Sequence, residues 1–146
     1  MAQFARPDAD LSVGTWLTDA AAGTDLYTRI DESVASDADY IKSVDAPSSA
    51  PCTVRLSDVT DPVSSANHVV RYRYQKSAAL GAQVNLTVQL RQGFVSEGTP
   101  GTLIAAETVT DIPNGFTDGD FTLSGAEADA ISDYTDLAIR FVATQV

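Results

Sequence analysis

At 146 residues with a formal charge of −11 and a pI near 4.1, the chain has the length of one domain, and its charge repels nucleic acid and anionic membrane surfaces, which are held by basic contacts. Its hydrophobic content of 44% is that of a globular protein, and no apolar run approaches the roughly 18 residues of a membrane span. A single cysteine, Cys52, excludes an intrachain disulfide, and the N-terminal MAQFARPDADLS lacks the charged-then-apolar plan of a signal peptide.

The acid is mostly of one kind, with sixteen Asp against four Glu. Asp suits turns and caps, where its short side chain bonds nearby backbone N–H groups, and this favours a loop-rich β protein. Residues 1–20 read as an extended arm and first strand, because Pro7 fixes its own φ and biases Arg6 away from helix. Trp16 anchors the first strand in the core or, alternatively, faces a partner or a sugar. Leu26–Asp31 and Asp39–Val44 are short strand candidates. The segment Ala46–Pro51, with two prolines and two serines, reads as loop. Alternation resumes at Thr53–Val59, with Val54 and Leu56 inward.

The clearest signal lies between His68 and Gly93. Val70, Tyr72 and Tyr74 alternate with Arg71, Arg73 and Gln75. Val84, Leu86, Val88 and Leu90 alternate with Asn85, Thr87, Gln89 and Arg91. Two-residue alternation is the period of a strand with one buried and one wet face, and the two runs read as a hairpin joined by a small-residue connector. Thr102–Ile112 reads as a further strand, Pro113-Asn114-Gly115 as a turn, and Phe116–Leu123 as a strand broken at Asp118-Gly119. Ser124-Gly125-Ala126-Glu127 matches a capping box and opens one short helix ahead of the final strand, Asp136–Val146, in which Leu137, Ile139 and Phe141 face inward. Short strands at regular spacing, with no long helices between them, predict an all-β protein. The expected fold is an antiparallel β-sandwich of jelly-roll or Ig-like kind, with 21–146 as its single domain.

Catalytic chemistry finds little to stand on. One histidine, His68, cannot furnish a multi-histidine zinc site, and the pattern of a serine triad is missing. Asp118-Gly119-Asp120, read as a turn, is the best calcium candidate, but the offsets of an EF-hand are missing. No cofactor is expected, and the chain is expected not to be an enzyme. The basic residues are more telling, since Arg71, Arg73 and Arg91 on neighbouring outward positions would make a basic stripe on an acidic body. Such a stripe is either a solvated face with weak ion pairs or a docking face for an acidic partner or a second copy.

The segments RPDADLS…TW (Arg6–Trp16), LYTRIDE (Leu26–Glu32), SDADYI (Ser36–Ile41), HVVRYRY (His68–Tyr74), VQLRQG (Val88–Gly93) and LSGAEADAISDYTDLAIRF (Leu123–Phe141) come in an order that resembles a small β-sandwich domain of structural proteins in tailed bacteriophages and prophages. The resemblance spans nearly the whole chain. It implies a virion component on the capsid surface, made in the host cytoplasm: a capsid decoration (cement) protein or, as the alternative, a tail or head-fibre module. Implied partners are the major capsid protein or other virion subunits, with homo-oligomers, trimers above all, and neither nucleic acid nor membrane. Phe4, Arg6 and Pro7 are the expected latch on a neighbour, with Trp16, Arg71, Arg73 and Arg91 as further contacts. On that reading, deleting residues 2–12 weakens capsid binding and leaves the fold intact. A carbohydrate-binding sandwich using Trp16, Tyr27, Tyr40, Tyr72 or Tyr134 is the competing class.

Overall fold

The computed structural model describes residues 1–78 and 81–146; the middle of the small-residue connector, 79–80, lies outside the described residues. The elements are β1 (Pro7–Ser12), β2 (Leu17–Thr18), a 3₁₀ turn (Leu26–Arg29), β3 (Ile41–Lys42), β4 (Ala50–Leu56), β5 (Val69–Tyr74), β6 (Val84–Gln92), β7 (Thr102–Val109), β8 (Thr117–Thr122), α1 (Gly125–Asp129) and β9 (Leu137–Gln145). Every pairing among the described residues is antiparallel: β1 with β4, β2 with β3, β4 with β9, β5 with β8, β6 with β7, and β9 again with β6. The result is a five-stranded sheet in the order β1-β4-β9-β6-β7, with two separate ribbons, β5-β8 and β2-β3. Nested pairs of this kind are the winding of a jelly roll, here with three nested pairs where an eight-stranded roll has four. The expected all-β fold with a short helix before the last strand is therefore what the chain adopts.

Alternation decides which side of each strand is dry. Cys52, Val54 and Leu56 on β4 share a face with Ile139 and Phe141 on β9, and with Leu86, Val88 and Leu90 on β6. This face meets Val70, Tyr72, Tyr74 and Phe121 from the β5-β8 ribbon, and Trp16 beside β2. Beside β7, α1 closes the core with Ala128, and the buried Ile131 follows it. Its capping box is complete: the Ser124 hydroxyl accepts from the Glu127 N–H, and the Glu127 carboxylate accepts from the Ser124 N–H at 2.7 Å. At five residues the helix depends on this cap and on packing, because so short a helix does not stand alone.

Several expected elements take a different form. The two runs within His68–Gly93 are strands, but they do not pair with each other; the chain between them passes from the ribbon to the large sheet. The reason is visible across β5 and β8, where Arg71 lies opposite Asp120, Arg73 opposite Asp118 and Tyr72 opposite Gly119. Opposite charges facing each other favour this pairing. Asp118-Gly119-Asp120 is consequently the middle of β8 and not a turn. The glycine serves the tyrosine, since a Cβ on Gly119 would lie 2.6 Å from the Tyr72 ring.

Leu26–Asp31 is not a strand, because both carboxylate oxygens of Asp10 take the N–H groups of Leu26 (3.0 Å) and Tyr27 (2.9 Å) and start a 3₁₀ turn there. Asp39–Val44 shrinks to the two residues of β3, whose only strand partner among the described residues is the equally short β2. β4 begins earlier than expected, at Ala50. Pro51 is tolerated because this end of β4 pairs only with β9, while β1 joins from Thr53 onward.

Adding one methyl at residue 119 tests how far Tyr72 fixes the layers. Gly119→Ala is expected to destabilise by about 1–3 kcal/mol through overpacking. In urea unfolding, Tyr72→Leu in the same chain should recover part of that loss; equal midpoints for wild type and Gly119→Ala would refute the contact.

Candidate partner-binding surface

The N-terminal arm is held by its own domain. The Gln3 side chain imitates a strand: its Nε2 donates to the Thr60 carbonyl and its Oε1 accepts from the Thr60 N–H, both at 2.8 Å. Arg6 exchanges two bonds with Ser57, donating its N–H to Oγ (3.1 Å) and accepting at its carbonyl from the Ser57 N–H (2.7 Å). The Arg6 guanidinium reaches the Glu32 carbonyl at 2.7 Å and lies 5.5 Å from the centroid of the Phe4 ring. Between these tethers Phe4 stays 60% exposed, a large apolar ring held in place on the surface. Pro7 is the first residue of β1 and half-buried.

Trp16 is not available to a partner. Its side chain is buried, its Nε1–H donates to the Ala50 carbonyl at 3.1 Å, and its ring lies 6.2 Å from that of Phe141. The indole needed an acceptor once inside, and the start of β4 supplies one.

The three arginines of the expected stripe are divided between two sheets. Arg71 and Arg73 project from the outer side of the β5-β8 ribbon, and Arg91 belongs to β6 in the large sheet. Arg73 is fully engaged: it donates to Asp37 at 2.6 and 3.0 Å and to Asp118 at 2.9 Å, and it sits 5.4 Å from the Phe116 centroid. These bonds raise the pKa of Arg73 and hold the Asp37 carboxyl below the usual carboxylate range. Arg71 is exposed, across from Asp120.

Arg91 belongs to a cluster that the alternation did not disclose. The loop 93–101 places Glu97 so that one carboxylate oxygen accepts from the buried Thr53 hydroxyl (2.7 Å) and the other from Arg140 Nε (2.7 Å). Arg140 and Arg91 both donate to Gln89 Oε1, at 3.3 and 2.7 Å, and Arg91 also donates to the Gly101 carbonyl at 2.9 Å. Burial, then the neighbouring Arg140, lowers the Arg91 pKa. Arg91 therefore clips a loop to its own sheet. Nothing in FVSEGTPG marks Glu97 as that clip, because its partners are distant in sequence.

The remaining candidates are spread out. His68 Nε2 lies 2.8 Å from the Tyr134 hydroxyl, next to a groove of about 450 Å³ lined by Asp61, Ser64, Ser65, Asp129 and the Tyr134 ring. Burial, followed by Asp61 and Asp129, raises the Tyr134 pKa. Tyr72 points inward and donates to Glu107, and the Tyr40 ring meets that of Phe116 at a tilt, with centroids 6.2 Å apart. Among the described residues no group of three or more His, Cys, Asp or Glu side chains converges as metal ligands, and no helix is long and apolar enough to cross a membrane. No protein-family model matches the chain, and neither a curated protein nor a solved structure matches it.

Cys52 is fully buried, and burial, aided by Asp10 and Glu97, pushes its thiol from 9.0 up to about 12. Folding thus favours the protonated thiol, and the stability this contributes is complete below pH 9.0 and is lost as pH rises toward 12. Tyr72, raised by burial and by its bond to Glu107, acts in the same sense. At the acid end, Asp37, Glu127 and Asp133 are all lowered, so what they contribute is present above their ordinary values of 3.8, 4.5 and 3.8 and disappears as pH falls below them. Urea midpoints should therefore hold level between about pH 5 and 8 and fall at both ends. Cys52→Ala should flatten the fall above pH 9.0, and an unchanged alkaline limb would refute the assignment. A thiol reagent should label the wild-type chain only after unfolding.

Proposed function

We propose that this protein is a non-enzymatic structural module of a virion, a capsid decoration (cement) protein that docks on shell subunits through its N-terminal arm. The reading starts from the resemblance carried by the arm, the HVVRYRY strand and the LSGAEADAISDYTDLAIRF segment. The observation that carries it furthest is Phe4. Bonds from the Gln3 side chain and from Arg6 to Thr60, Ser57 and Glu32 tether the chain on either side of an aromatic ring left 60% exposed. An apolar anchor ordered in advance loses little entropy on binding, and aromatic and arginine anchors dominate interface energies. Arg6, stacked near that ring, adds a cation in a chain of net charge −11. The partner best suited is the surface of a major capsid protein with an apolar pocket rimmed by acid.

The fold redefines the latch. β1 pairs with β4 and its Asp10 starts the 3₁₀ turn, so deleting residues 2–12 removes part of the domain as well as the arm. Phe4→Ala is the cleaner change, since it leaves every tether in place. On particles lacking the protein, Phe4→Ala should lower binding by at least about tenfold, the loss of one hot-spot aromatic, with the melting temperature unchanged. Undiminished occupancy would remove the arm from the interface.

A second reading, glycan binding, is favoured by the groove beside Tyr134, where carboxylates and hydroxyls surround an aromatic face. A glycan array with no binder at millimolar concentration would eliminate it.

A further inference from the structure

The two edges of the five-stranded sheet are unlike. β1 begins with a proline, slips register twice against β4, and has the 3₁₀ turn lying against it. Proline and bulges are devices that keep other strands from adding to an edge. β7, on the opposite edge, pairs only with β6 among the described residues. It carries a single bulge, at Ile104 between the partners of Leu90 and Arg91, and Ala105–Val109 beyond it continue in regular register.

Charge separates this edge from the rest of the molecule. From Gly98 to Thr110 the sequence holds one charged residue, Glu107, in a chain with twenty acids. An inward-pointing charge normally deters strand addition. Here that carboxylate already accepts the Tyr72 hydroxyl within its own chain. On the outer face Ala106 and Thr108 are small, uncharged and exposed, so an approaching backbone meets neither bulk nor charge. Over most of this surface two copies would repel each other; along β7 they would not.

We propose that β7 is a homodimerisation edge, on which the β7 of a second copy adds antiparallel about a two-fold axis through Ala106. The occupant follows from the sheet having one open edge. A head-to-tail ring needs two complementary edges, and β1 is obstructed, so only a self-complementary contact closes. The register follows from charge and regularity. A two-fold perpendicular to a continuous sheet brings a residue opposite its own copy. Centring on Glu107 would set two carboxylates face to face, and centring on Thr108 would leave only three strand residues overlapping. Centring on Ala105 would put the Ile104 bulge beside the axis, whereas centring on Ala106 overlaps Leu103–Val109, with Glu107 opposite Ala105 and the bulge one step further out. The pair is independent of the capsid reading and differs from the trimer implied by the family resemblance.

The register makes an unusual demand on variants, because residue 106 faces itself. Ala106→Lys and Ala106→Glu should each convert the wild-type dimer to monomer by light scattering at high micromolar concentration, since like charges then sit directly opposite. Mixing the two variants in equal amounts should restore a dimer containing one of each. On the wild-type chain alone, those β7 amides that point away from β6 should exchange more slowly as protein concentration rises. A monomeric or trimeric wild type, a dimer that survives both substitutions, or a mixture that stays monomeric would each overturn the proposal.

Discussion

The ring of Tyr72 rests where Gly119 leaves room for it, and its hydroxyl donates to Glu107 on the facing sheet. This one side chain therefore fixes two relations at once: the register of β5 on β8, and the position of that ribbon over β6 and β7. Both are needed because the ribbon has only two strands and cannot form a layer unaided. Flanking pairs add direction. Arg71 and Arg73 lie opposite Asp120 and Asp118, so a one-residue slip would place each arginine against an uncharged neighbour and move Tyr72 off its glycine.

Around that contact the molecule assigns its acid to local tasks. Asp10 starts the turn at Leu26, Glu127 caps α1, Asp37 and Asp118 hold Arg73, and Glu97 fastens a loop through Thr53 and Arg140. Exposed ion pairs of this sort contribute little to stability one by one. Their value is conformational, since they hold loops and the arm in one arrangement. Phe4 is displayed by the same economy, with polar tethers on either side of an apolar ring.

What the sequence reveals depends on the range of the interaction involved. The capping box at Ser124-Glu127, the dry face of Val84–Leu90 and the inward face of Leu137–Phe141 are short-range patterns, and each appears in the structure as read. Strand partners are not short-range patterns. Alternation in RYRY says that one face is dry, but the choice of β8 over β6 rests on Asp118, Gly119 and Asp120, roughly fifty residues away, and those same residues look like a turn when read alone. LYTRID has the composition of a strand and yields to one carboxylate, Asp10, supplied from a neighbouring strand. Of the expected contact residues, Phe4 lies exposed on the surface and Trp16 is buried. The arginine stripe does not form, because β5 and β6 are adjacent in the chain yet belong to different sheets.

The placement of β9 affects how the protein comes to be folded. Residues 137–145 lie between β4 and β6, in the heart of the large sheet, and are synthesised after the other four strands of that sheet. Until they emerge, β4 and β6 each present an unpaired inner edge, and the β6-β7 hairpin has no route to the β1-β4 half. Sheet formation must then close a loop of more than eighty residues at once, and such long-range closure is slow and leaves sticky edges exposed in the meantime. A chain cut short just before Asp136 would hold pieces already made with nothing to join them.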